Sequence, residues 1–311
     1  MLLKRHHRPN LSGLATEQAN RASAGLDRKT SLQIARIINR EDAKVAPAVQ
    51  RALPAIADAI DVIADSLRVG GRLIYVGTGT SGRIAALDAA ECPPTFKTDP
   101  RMVEFIMAGG TKALARAVEA DEDSAALGQR EMAKRKPGKN DVVVGIAASG
   151  RTPFTVAAIE YARRRGACTV ALTCNRHTPL ERAADHAIVV RVGPEVISGS
   201  TRMKAGTAEK MVLNMLSTGA MSRLGYVYSN LMVNLKQKNS KLEQRAVMIV
   251  RRVARVSAYQ AKSALRKAGN NLPVALVMLK SKISRDMAKQ ALEGTRGNVR
   301  QAISVAKRST R

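Results

Sequence analysis

Twice in this chain a short, unbroken apolar run leads directly into a loop of glycine and hydroxyl residues, and from there into a helical pattern. Arg72-Leu73-Ile74-Tyr75-Val76 opens onto Gly77-Thr78-Gly79-Thr80-Ser81-Gly82, and residues 141–146 open onto 147–152. Further apolar runs follow at 169–173 and at Ala187-Ile188-Val189-Val190-Arg191-Val192, and a long helical stretch covers about 204–222. Strands that read as continuous rather than alternating apolar runs are buried on both faces. Interleaved with helices, they predict an α/β fold: a parallel sheet with helices on both faces.

Around that core the pattern is helical. Residues 1–25 are polar and basic and are expected to be poorly ordered. Thr30 or Ser31 caps a helix carrying Leu32, Ala35, Ile37 and Ile38, and a second carries Ile56, Ile60, Ile63 and Leu67 before stopping at Gly70-Gly71. From about 238 only helices remain. Leu242, Ala246, Ile249, Val253 and Val256 form one stripe, and Gly269 to Pro273 and Gly294 to Gly297 punctuate shorter helices. The expected division is an N-terminal segment and helix at 1–50, the sheet domain at 51–235 and a small helical subdomain at 236–311.

The first loop formally matches the dinucleotide fingerprint GxGxxG, yet no strand ending in an acidic residue follows within about 20 residues, as a nicotinamide site would need. It carries hydroxyls instead, at Thr78, Thr80 and Ser81. Hydroxyls and the unpartnered N–H groups of a helix N-terminus suit a terminal phosphate ester. Ala148-Ser149-Gly150-Arg151-Thr152-Pro153 and Ser198-Gly199-Ser200-Thr201-Arg202-Met203-Lys204 repeat this chemistry. Loops at strand C-terminal ends converge on one crevice, so Thr80, Ser81, Ser149, Thr152, Ser200 and Thr201 are the candidate phosphate-binding residues, with Arg83, Arg151, Arg202 and Lys204 as possible charge partners.

The formal net charge is +27, and residues 223–311 hold 20 Lys+Arg against 3 Asp+Glu. Such a tail raises nucleic acid as a partner, but aromatics are only 3% of the chain and no nucleic-acid-binding motif is recognisable, which argues against it. No run of about 18 apolar residues predicts a membrane span, and Met1 to Arg8 has no apolar h-region, so a cytoplasmic protein is expected. Cys92, Cys168 and Cys174 have no metal-ligand or redox spacing and read as buried, reduced thiols; His177 and His186 lack partners at metal or triad spacing. No metal or cofactor is expected.

Gly79-Thr80-Ser81-Gly82-Arg83, followed by Leu87-Asp88-Ala89-Ala90-Glu91-Cys92-Pro93-Pro94-Thr95-Phe96, resembles the signature of the N-acetylmuramic acid 6-phosphate etherases, within the wider group of sugar isomerase (SIS) domain proteins. The resemblance continues through Ala108-Gly109-Gly110, Ala117-Val118-Glu119, Val143 to Pro153, Gly199 to Ala208 and Asn230-Leu231-Met232-Val233, and takes in Thr16-Glu17 to Asp27 and the helical tail. It implies a SIS-type sandwich and cleavage of the lactyl ether of N-acetylmuramic acid 6-phosphate to N-acetylglucosamine 6-phosphate and D-lactate, in cell-wall sugar recycling. By the same resemblance two catalytic glutamates fall on Glu91 and Glu122. Ala120-Asp121 stands where the family has Gly-Ala, which sets an extra carboxylate beside Glu122.

The chemistry suits two carboxyls without a metal. The aldehyde of the opened sugar acidifies the hydrogen on carbon 2, so a base at that hydrogen and an acid at the departing oxygen suffice. If Pro93-Pro94 end the helix, Glu91 lies at its negative end, which favours the protonated form; Glu91 is then the expected acid and Glu122 the base. Nine helical residues place Glu91 roughly 13 Å from the loop on its own helix. Either the helix is shorter, the glutamate folds back through a bent segment, or the acid reaches a neighbouring subunit's site; a homodimer with shared sites is favoured. The competing readings are a SIS-type sugar-phosphate isomerase and a non-catalytic phosphosugar-binding regulator.

Overall fold

The computed structural model describes residues 13–116, 118–234 and 240–309, the side chains of Glu119, Lys241 and Ser309 excepted. Tertiary contacts divide them into two compact units. The first comprises the described residues up to Asp88 together with Glu104–Leu216; the second comprises Ala89–Val103 and Ser217 onward. Residues 89–103 thus group with the C-terminal helices although they lie inside the 51–235 segment.

The first unit begins with three helices, α1 (Ser31–Asp42), α2 (Val45–Gln50) and α3 (Leu53–Arg68). β1 (Leu73–Gly77), α4 (Gly79–Phe96), β2 (Val103–Met107), α5 (Ala125–Arg135), β3 (Val142–Ile146) and α6 (Pro153–Arg164) come next. Then follow β4 (Cys168–Thr173), α7 (Pro179–Ala183), β5 (His186–Val189) and α8 (Lys204–Leu224). The last part of α4, the first residue of β2 and the end of α8 fall in the second unit.

The sheet order is β2-β1-β3-β4-β5, and the registers of β1 on β3, β3 on β4 and β4 on β5 are parallel. β1 and β3 are buried at every position, as their unbroken apolar sequences require. The edge strand β2 escapes a reading based on apolar runs because Glu104 interrupts it. That carboxylate pairs with Arg72 at 3.3 Å and Arg135 at 3.4 Å. β2 ends on Met107, so no acid stands where a dinucleotide ribose would need one. The sheet order reverses direction between β1 and β3, and at such a switch point the loops leaving the two strands diverge and open a crevice.

Local signals set the helix boundaries. Thr30 caps α1 in a reciprocal capping box with Gln33. The stripe expected along α1 does not enter the core: Leu32 and Ala35 are exposed, and the buried residue is Glu41. α3 buries Ile56, Ile63 and Leu67 and ends where the Gly71 N–H returns to the Ser66 carbonyl. Pro93 and Pro94 do not end α4, which runs on to Phe96 with the Lys97 N–H bonded to the Pro93 carbonyl. A proline forfeits its own N–H bond but keeps a helical φ, so the chain continues one further turn.

Residues 13–25, expected to be poorly ordered, form two short 3-10 turns with Leu14, Thr16 and Ser23 buried, while residues 1–12 lie outside the described residues. The reason is hydrogen bonding. Ala15 N donates to Asn175 Oδ1, Gly199 N donates to the Thr16 carbonyl, and Ser198 Oγ donates to the Glu17 carbonyl at 2.8 Å.

In the second unit a two-residue antiparallel ladder, β6 (Val227–Tyr228) with β7 (Leu231–Met232), precedes five helices. They are α9 (Ser240–Ala254), α10 (Ala258–Lys267), α11 (Leu272–Ser281), α12 (Arg285–Gly294) and α13 (Val299–Ser309). The stripe read from the sequence packs inward: Ala246 and Ile249 are buried, with Leu242, Val253 and Val256 against the same core as Leu265, Leu276 and Ile303. Among the described residues no helix is long and apolar enough to cross a membrane.

Candidate functional site

Gly77 at the end of β1 pairs with Ile146 at the end of β3, so the loops leaving these strands start side by side. The first becomes the opening turn of α4, whose N–H groups have no acceptor within the helix. Gly79 sits there at φ +50°, and a Cβ on it would lie 3.1 Å from Glu122 Oε1. A side chain at this position would push the carboxylate aside, so glycine brings Glu122 against the loop. Thr78 Oγ1 donates to Glu122 Oε2 at 3.1 Å. The backbone of Glu122 is fixed from the other strand, since the Phe154 N–H at the start of α6 donates to its carbonyl. Glu122 is half-buried in the turn between the short 3-10 helix Glu119–Asp121 and α5.

The second loop is held by its own hydroxyl and by β4. Ser149 Oγ accepts the Arg151 N–H at 3.2 Å. Gly150 has φ +65°, and a Cβ there would stand 2.4 Å from Thr178 Oγ1. Thr152 occupies the position before α6, with Pro153 opening the helix, and its side chain makes no capping bond. Asn175 Nδ2 donates both to the Ala148 carbonyl and to Thr16 Oγ1. Through Thr16, whose carbonyl accepts from Gly199, the second and third loops are tied together.

The third loop leads into α8 and meets the first. A Cβ on Gly206 would come within 3.2 Å of Thr80 Cγ2, and Ser81 Oγ bonds Glu209 Oε1 at 3.0 Å. Thr201 turns its carbonyl to the Gly206 N–H at 3.0 Å. The N-terminus of α8 already holds an anion: the Lys204 and Ala205 N–H groups donate to the two oxygens of Glu195, which is fully buried. Burial pushes the Glu195 carboxyl above its ordinary pKa, against the pull of those two bonds.

The structure therefore gathers Thr80, Ser81, Ser149, Thr152, Ser200 and Thr201 on three loops linked by strand pairing, by α4–α8 contact and by the Thr16 bridge. Ser81 is buried; the other five are half-buried. Of the candidate cations, Arg151 stays half-buried in the second loop and the other three go elsewhere. Arg83 donates to the Leu114 and Arg116 carbonyls, Arg202 is exposed, and Lys204 is 1% exposed with Nζ 2.7 Å from Glu41 Oε2. Lys204 is consumed in the core and has no charge to offer a ligand. His177 and His186 are exposed.

Glu91 is exposed on α4, in the part of that helix assigned to the second unit. Because α4 continues to Phe96, Glu91 does not stand at the helix end, and the dipole argument for its protonation loses its geometric basis. No motif in the sequence points to Glu209. Its signal was a lone carboxylate on the face of α8 that carries Ala205, Ala208, Val212 and Leu213, all buried. Among the described residues no three His, Cys, Asp or Glu side chains are grouped to hold a metal.

Residues 55–163 match the glucokinase regulatory protein N-terminal SIS domain, and residues 124–219 match the SIS domain. The chain is similar to a phosphoheptose isomerase from Francisella tularensis (TM-score 0.51, 20% identity, 62% of this chain and 100% of that one), a likeness of fold. N-acetylmuramic acid 6-phosphate etherase 1 of Bacillus licheniformis is 47% identical over 96% of this chain and 99% of its own length. The N-acetylmuramic acid 6-phosphate etherases of Bacillus subtilis (46%, 94% and 97%) and Klebsiella aerogenes (47%, 95% and 98%) match to the same extent. With such identity over almost the full length of both partners, this chain belongs to the N-acetylmuramic acid 6-phosphate etherase family.

Proposed function

We propose that this chain cleaves the D-lactyl ether of N-acetylmuramic acid 6-phosphate, with the phosphate held by the loops after β1 and β3 and before α8, and with Glu122 as the base at carbon 2. Near 47% identity over the whole length of a named etherase carries the activity. Contact between Glu122 and the first loop supports the base assignment.

The reaction begins with the sugar open. Glu122 takes the proton from carbon 2, and the bond's electron pair forms an enolate with the carbonyl at carbon 1. The enolate re-forms the carbonyl as a double bond develops between carbons 2 and 3, and the bond from carbon 3 to the lactyl oxygen breaks. A general acid protonates that oxygen, releasing lactate. Water then adds its hydroxyl to carbon 3 while carbon 2 regains a proton, giving N-acetylglucosamine 6-phosphate. Half-burial and the Thr78 hydroxyl hold the Glu122 carboxylate in one orientation, which saves reorganisation at the moment of transfer.

Glu91 is assigned the acid role on the family signature around it. It lies ten positions along α4 from Ser81, about 15 Å of rise, more than a hexose phosphate spans from phosphorus to carbon 3. We accordingly assign Glu91 to the site of a second copy, in a homodimer with shared sites. A cytoplasmic location accords with the three free thiols Cys92, Cys168 and Cys174. Incubation with N-acetylmuramic acid 6-phosphate and an assay for free D-lactate tests the activity; a phosphosugar isomerase or sensor would release none.

A further inference from the structure

Behind the loop after β1 lies a carboxyl that the chemistry above leaves unused. Glu209 is 1% exposed on α8, and its Oε1 lies 3.0 Å from Ser81 Oγ. Among the described residues it interacts with Ser81 from α4, with the Cys174 thiol from the segment after β4, and with Glu195 from the segment before α8. Lys204, a turn earlier on α8, is engaged by Glu41.

Which partner donates in the Ser81–Glu209 bond decides what Ser81 can do. Beside a carboxylate, Ser81 must spend its single proton on Glu209 and has only lone pairs for a phosphate dianion, which has no proton to give. Beside a carboxylic acid, Glu209 donates to Ser81 Oγ and the serine proton is left for a phosphate oxygen. We propose that Glu209 is a positioning residue: it keeps its proton, donates it in a hydrogen bond to Ser81 Oγ, and so turns the Ser81 hydroxyl toward the phosphate of the bound sugar. The inference rests on the reading of this loop as a phosphate site. Burial, opposed by the bond to Ser81 and helped by the charge of Glu195, pushes the Glu209 pKa up to about 8, so the acid form prevails at neutral pH. Burial also raises the Cys174 thiol, with Glu209 and Glu195 adding to the shift.

A linkage follows. Above pH 8 the free protein has lost this proton and must take one from solvent when a phosphate dianion binds. The test is calorimetric titration with N-acetylglucosamine 6-phosphate from pH 7 to 9.5, above the phosphate's own second pKa of about 6, in buffers of different ionisation enthalpy. Wild type should take up a growing fraction of a proton between pH 8 and 9, and its affinity should weaken toward about tenfold per pH unit. Glu209→Gln carries an amide that donates at every pH, so its proton uptake should vanish and its affinity stay within about twofold across the range. Glu209→Leu leaves Ser81 without a donor and should weaken binding at pH 7 by about tenfold. Should that variant not fold, the near-isosteric glutamine decides alone.

Equal proton uptake in wild type and Glu209→Gln, or a wild-type affinity flat through pH 9, overturns the inference. Lactate release is scored separately. Linked binding without lactate leaves Glu209's role standing and removes the etherase reading; no binding of the sugar phosphate at any pH removes the phosphate reading and this inference with it.

Discussion

Replacing Lys204 by methionine should destabilise the sheet unit by an amount that the buried ion pair itself fixes. Lys204 is 1% exposed and Glu41 3%, and Glu41 is also approached by Lys44 and by Asn20 Nδ2 at 2.9 Å. Burial drives the Glu41 carboxyl upward, but the bonds from Lys204, Lys44 and Asn20 outweigh it and hold the pKa at about 2 against an ordinary 4.5. That difference amounts to roughly 3 kcal/mol at neutral pH. Lys204 is the foremost of the lowering partners, and losing one member of a buried pair typically costs about 3–5 kcal/mol. Lys204→Met should therefore lower the opening free energy of β3 and β4 amides by about 3 kcal/mol at pH 7, measured by hydrogen exchange resolved by peptide. Glu41→Gln together with Lys204→Met should recover much of it, because no uncompensated charge then stays buried. The sign with pH is fixed too. The folded pKa is depressed, so this stabilisation is complete above about pH 4.5 and disappears as pH falls through 2. A loss below about 1 kcal/mol, or a double variant no better than the sum of its singles, would refute the reasoning.

Glu122→Gln should abolish lactate release with the fold retained, read from a coupled lactate assay and far-UV circular dichroism; turnover within tenfold of wild type would remove Glu122 as the base. Glu91→Gln should likewise stop lactate release, and mixing it with Ser81→Ala should restore part of the activity in heterodimers if sites are shared. No recovery counts against sharing. Gly150→Ala puts a Cβ within 2.4 Å of Thr178 Oγ1 at φ +65°. The left-handed backbone alone costs about 1–2 kcal/mol, so its melting temperature should fall by roughly 2–8 °C, and an unchanged one would show that the loop relaxes freely.

Much of this fold is legible in the chain because its elements carry local signals. β1, β3 and β4 are unbroken apolar runs, α1 has a capping box, and α3 stops at paired glycines. What stayed hidden is whatever depends on a partner distant in sequence. β2 hides because Glu104 is neutralised by Arg72 and Arg135 from other elements. The order of residues 13–25 hides because Thr16 and Ala15 bond to Asn175 and Gly199, about 160 or more positions away.

The candidate site divides along the same line. Glycine and hydroxyl loops at strand ends are a local composition, so the three loops, and the phosphate chemistry proposed for them, could be read one by one. Composition does not say which cation is spent in the core, and only packing turns Lys204 to Glu41 and away from a ligand. Nor does a helical pattern reveal that Glu209 backs onto Ser81, or that Glu122 meets the loop across a side-chain-free Gly79. The sequence by itself determined most of the core strands, the loop composition and the family, because these rest on neighbours along the chain. The tertiary structure alone decided which carboxyl faces which hydroxyl, because that depends on atoms brought within hydrogen-bond range from the loop after β1, the start of α4, the turn before α5 and α8.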